Sequence, residues 1–66
     1  MNKRLLNKIT IVLLTINRRQ YILRNMKYWS GKDVTVHVLD GSEQDIPSKY
    51  FSTIKNNILY HHLPIS

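Results

Sequence analysis

Two short polar stretches carry the residue types that could do chemistry. Thr15-Ile16-Asn17-Arg18 brings a hydroxyl, an amide and a guanidinium together, and Asp40-Gly41-Ser42, some two dozen positions after Asn17, brings a carboxylate and a second hydroxyl. A guanidinium at the start of a helix suits a phosphate, because unpaired backbone N–H groups and the positive end of the helix dipole lie there. A carboxylate only accepts hydrogen bonds. Asp40 can therefore receive the imide N–H of uracil or thymine, or the N–H edge of guanine, whereas cytosine offers no such ring donor.

Each of these residues also has a plainer role. Asn17 taken alone fits a helix cap better than a ligand contact, with Gln20 three positions on giving a capping-box spacing. Asp-Gly-Ser is ordinary turn vocabulary, and Arg18 and Arg19 can be solvated charge. His37 on a strand is more often packed than catalytic. His61 and His62 are adjacent, so on a strand they face opposite ways and do not share a metal. The chain has no glycine-rich dinucleotide turn, phosphate loop or Gly-x-Ser-x-Gly elbow, and its Asp40, Glu43 and Asp45 do not fit a calcium loop.

The elements that must position the two stretches follow from hydrophobic patterning. Ile9 to Ile16 is a nearly unbroken apolar run rich in β-branched residues, which predicts a strand buried on both faces in the middle of a parallel sheet. Arg18 to about Ser30 reads as a helix, with Ile22, Met26 and Trp29 on one stripe beside Leu23, and Gly31 ending it. Val34 to Leu39 alternates as a second strand. Ser48 to Ile54 reads as a short helix with Tyr50, Phe51 and Ile54 as contacts, and Ile58 to Leu63 as a third strand stopped by Pro64. The order β-α-β-α-β predicts an α/β fold, a partial doubly wound parallel sheet. Right-handed crossovers then put both helices on one face if each strand is added on the same side of the last. The other face is left bare, and the carboxyl ends of the strands, where open α/β sheets bind ligands, bring the two polar stretches to one edge.

Sixty-six residues make at most one domain, here a basic lead-in over residues 1–8 and an α/β unit over residues 9–66. A chain this short buries only about 60% of the surface its unfolded form exposes. With no cysteine, neither disulfides nor a thiolate zinc site reinforces it. Ten Lys and Arg against four Asp and Glu give a formal charge of +6, which favours anionic partners. Asn2-Lys3-Arg4 followed by an apolar run imitates a secretory signal, but there is no alanine for a cleavage site and Arg18-Arg19 follow at once. The expectation is a cytoplasmic chain, at most peripheral to the inner membrane face.

The strand Ile9 to Arg18, then Tyr21-Ile22-Leu23-Arg24 and Tyr28-Trp29, then Val38-Leu39-Asp40-Gly41-Ser42 resemble the start of family 2 glycosyltransferases in residue type, order and spacing. The resemblance covers roughly Ile9 to Glu43. It implies the first half of a GT-A nucleotide-binding domain and a nucleotide-diphosphate sugar, UDP-linked, as donor. Carried over by position, Thr15, Ile16, Asn17, Arg18, Asp40 and Ser42 would form the nucleotide site, with Asp40 accepting from the base. Ile16 stands where the family usually has tyrosine, Arg19 where it has proline, and Gln20 where it often has glutamate. The change at Ile16 removes an aromatic surface for a base.

Family members hold a divalent cation such as Mg or Mn with an Asp-x-Asp pair and use a later carboxylate as base. Neither motif occurs in these 66 residues, which therefore read as an incomplete nucleotide-binding portion with no catalytic residue, no metal ligand and no activity of their own. The partners expected are the nucleotide sugar, the remainder of a glycosyltransferase domain, a second copy of the chain, and an anionic membrane surface, with nucleic acid ranked last. The rival reading is a small basic module whose helix contacts nucleic acid or anionic lipid.

Overall fold

The structure is a computed structural model that describes residues 9–64. The lead-in over residues 1–8 lies outside the described residues. Strand β1 (Thr10–Thr15), helix α1 (Arg19–Trp29), strand β2 (Thr35–Asp40), a 3-10 turn (Ser48–Phe51) and strand β3 (Ile58–His62) follow in order. The three strands are parallel and lie in the order β1-β2-β3. Among the described residues, no helix is long and apolar enough to cross a membrane.

The α/β class and partial parallel sheet match the expectation, and the position of β1 does not. Among the described residues it is an edge strand, and β2 is the centre, paired with β1 on one side and β3 on the other. Sheet order comes from which strand finds two neighbours, and an apolar run does not carry that information. Ser48 to Ile54 is likewise shorter than expected, one 3-10 turn ending at Phe51. Tyr50 in it is exposed, while Phe51 and Ile54 pack on the core.

Strand alternation divides the sheet into two unlike faces. Ile11, Val36 and Ile58 form one register row and Leu13, Val38 and Tyr60 the next, and these pack under Ile22, Leu23 and Met26 of α1 with Trp29, Ile46, Phe51 and Ile54. The apolar stripe predicted for α1 is thus the face it buries. Each fully buried Leu, Ile or Val contributes about 1.5–3 kcal/mol. On the opposite face Val12, Leu14 and Leu59 are exposed by 54%, 74% and 40%, with Ile16 and Leu63 beyond the strand ends exposed by more than half. The bare face is therefore real among the described residues.

Where α1 ends, Gly31 adopts a φ of +81°, a left-handed conformation suited to glycine. The Asn57 side chain then fastens this turn to the start of β3. Its amide nitrogen donates to the carbonyls of Trp29, Lys32 and Val34 at 3.0–3.1 Å, and its oxygen accepts the Gly31 N–H at 2.8 Å. Four backbone groups thus bond to that single side chain, and two of them, the Trp29 and Lys32 carbonyls, also accept N–H groups within the turn.

Candidate functional site

The parallel register puts Thr15 beside Asp40 and Asp40 beside His62, so one row at the carboxyl edge carries a hydroxyl, a carboxylate and an imidazole. All three belong to the face covered by α1. Thr15 is 6% exposed and Asp40 2%. Backbone bonds lock the row, from the Gly41 N–H to the Thr15 carbonyl at 2.9 Å and from the Leu63 N–H to the Asp40 carbonyl at 2.8 Å.

Asp40 is surrounded by donors. Its Oδ1 accepts the Ser42 N–H at 3.0 Å and its Oδ2 accepts the Tyr60 hydroxyl at 2.6 Å. Burial pushes the carboxyl upward, but hydrogen bonds from Ser42 and Tyr60, with His62 nearby, outweigh it and hold Asp40 below its ordinary value of 3.8. The group is a carboxylate at neutral pH. Burial, with donation to that carboxylate, pushes the Tyr60 phenol up to about 12. Ser42 is a junction as well: its hydroxyl accepts the Asn17 N–H at 2.6 Å, and its carbonyl accepts from Nε2 of His62 at 2.8 Å. Because a carbonyl can only accept, that His62 nitrogen carries the proton.

Asn17 does not cap the helix. It sits at a φ of +55°, which asparagine tolerates better than most residues, and Arg18 takes the cap position without any side-chain bond. The left-handed turn spends Asn17 on joining the β1 and β2 loops through Ser42. The amino end of α1 is consequently uncapped and has no acidic residue in its first turn. Its orphan N–H groups and dipole present an unneutralised positive pole.

These pieces enclose a cleft of about 360 Å³, lined by Thr15, Asn17, Arg18, Arg19, Ile22, Asp40, Ser42, Glu43, Gln44 and Ile46. That is the low end of the roughly 300–1,000 Å³ typical of small-molecule sites. At its wall the buried Thr15 hydroxyl oxygen has no hydrogen-bond partner among the described residues, an arrangement that costs about 1–3 kcal/mol. Five of the six residues singled out from the sequence meet here. Ile16 does not: alternation turns it to the bare side, where it lines an apolar hollow with Leu14, Leu39, Gly41 and Leu63.

Tyr60 and His62 were not anticipated as part of the site. The signal for them was the spacing of two between these residues on β3, matching Val38 and Asp40 on β2, which becomes informative only once the register is known. His61 and His62 face opposite sides, as their adjacency requires: His62 meets Ser42 and His61 meets His37.

In comparisons with known proteins the chain matches no family model, no curated protein and no solved structure.

Proposed function

We propose that the cleft binds a nucleotide, and that the chain acts as the nucleotide-binding front portion of a glycosyltransferase of GT-A type using a UDP-linked sugar, without transferase activity of its own. One observation carries the reading: an uncapped helix terminus with Arg18 and Arg19 and a buried carboxylate at Asp40 line the same cleft. The first suits a diphosphate and the second a base N–H. Asp40 already accepts from Ser42 and from the Tyr60 hydroxyl, and a carboxylate has about four lone-pair sites in all, so a base N–H would be a further donor to it. The unpartnered Thr15 hydroxyl would gain a partner from ribose or base.

Titration of the isotope-labelled chain with UDP tests this. The amides of Thr15, Asn17, Arg18, Asp40 and Ser42 should shift together and saturate, and inorganic pyrophosphate should reproduce only the Arg18 end. Absence of shifts at these positions would remove the reading.

A specific observation favours a second reading. From Asn17 to Lys32 there are five Lys and Arg and no acid, and Tyr21, Tyr28 and Tyr50 stand exposed beside cations, with Arg18 over Tyr21, Lys32 over Tyr28, and Arg19 and Lys49 over Tyr50 at 4.6–5.9 Å. Such a surface fits single-stranded nucleic acid or anionic lipid. Binding there would fall steeply with salt and would weaken on loss of Lys32 or Lys49, which do not line the cleft.

A further inference from the structure

We propose that His37 and His61 form a chelating site for a divalent transition-metal ion, of the class of Zn2+, Ni2+ or Cu2+, on the uncovered face of the sheet. The proposal stands apart from the nucleotide reading, because the pair lies on the side of the sheet away from the cleft. His37 registers with Leu59, and Leu39 with His61, so the two histidines are diagonal neighbours on adjacent parallel strands.

Nδ1 of His37 lies 2.9 Å from Nε2 of His61. The ring planes are within 18° of parallel and the ring centres are 5.1 Å apart, which is the N···N separation plus one ring radius on each side. The two nitrogens therefore point at each other along the line joining the rings. Without a metal this is an N–H···N hydrogen bond, in which one ring donates a proton and the other offers a lone pair.

Neutral imidazole is a metal ligand through that same lone pair. If the donating ring moves its proton to its far nitrogen, by exchange with water, both facing lone pairs become free and no net proton is released. With metal–nitrogen bonds of 2.0–2.1 Å, two ligands at a right angle lie about 2.9 Å apart, and two ligands in a tetrahedral set about 3.4 Å. The observed separation matches a right-angled pair, and a tetrahedral pair needs the nitrogens to part by about 0.5 Å as the rings turn toward a common point. Both residues sit on hydrogen-bonded strands, which hold their backbones fixed before any ion arrives.

In the same register row as His37 lie Val12 and Leu59, and in that of His61 lie Leu14 and Leu39. Among the described residues no group of three or more His, Cys, Asp or Glu could hold a metal. The ion would keep open positions for water or an outside donor. A pair of imidazoles without carboxylates selects zinc, nickel or copper over magnesium or calcium, which take oxygen ligands.

The experiment is a Zn2+ titration of the full chain in competition with a chromogenic chelator, with Mg2+ as a competitor and with His37→Gln and His61→Gln variants. The wild type should take up Zn2+, Mg2+ should not displace it, and either variant should bind about tenfold or more weakly, because the second ligand no longer acts intramolecularly. Circular dichroism checks that each variant folds, and Asn at the same position replaces any Gln variant that does not. Affinity unchanged by loss of His37 or His61, or no uptake by the wild type, overturns the site.

Discussion

The phenol of Tyr60 donates to Oδ2 of Asp40 at 2.6 Å and accepts the Ile46 N–H at 3.0 Å, so one hydroxyl on β3 ties the carboxylate of β2 to the loop that follows it. Tyr60→Phe keeps the ring against Phe51 but leaves a carboxylate oxygen and a backbone N–H without this partner. The expected loss is about 1–3 kcal/mol of stability, read as a lower midpoint in urea. A midpoint equal to wild type would show that Asp40 does not depend on Tyr60.

The same pair gives stability a two-sided pH dependence. Asp40 is held below 3.8 in the fold, so its contribution is present above the unfolded value and is lost as pH falls from about 3.8 through the lower folded value. Tyr60 is raised from 10.0 to about 12, so its contribution is complete below pH 10 and disappears as pH rises from 10 to about 12. Urea unfolding across pH should show both limbs. In Tyr60→Phe the part of the alkaline limb owed to this phenol should vanish, and an unaltered limb would assign it to other groups.

Asp40→Asn keeps the size of the side chain but replaces a pure acceptor with an amide that also donates. If the carboxylate reads the base, the variant should lose its preference for UDP over CDP while still binding pyrophosphate. An unchanged preference would take Asp40 out of base recognition and leave only its structural role toward Ser42 and Tyr60.

Asn57→Ala removes the acceptor for the Gly31 N–H and the donor shared by three carbonyls. A loss of about 1–3 kcal/mol is expected, with amide exchange quickening at Gly31. Protection at Gly31 equal to wild type would contradict the clamp.

The bare face makes self-association the expected state at micromolar concentration. Several side chains each worth about 1.5–3 kcal/mol if buried are comparable to the whole stability of a small domain, about 5 kcal/mol at the low end. The edge of β1, unpaired among the described residues, adds a template for association. Leu14→Lys, at a position 74% exposed, should shift the sedimentation profile toward monomer without loss of secondary structure. A wild-type chain that is monomeric with a sharp thermal transition would contradict this.

The amino-acid sequence by itself determined the elements and their two-sided character. The β-branched run before Asn17 marks a strand by residue type, while the apolar stripe Ile22-Met26-Trp29 and the valines of β2 obey a local period, and neither signal needs knowledge of neighbours. Right-handed crossovers then brought Thr15 and Asp40 to one edge and left the opposite face bare. What only the tertiary structure decided was register and sheet order. Register makes Tyr60 rather than solvent the partner of Asp40, sets His37 against His61, and turns Asn17 from a cap into a bridge to Ser42. Those pairings join residues 20 to 25 positions apart, and no local propensity encodes a contact that exists only after the strands have found their alignment.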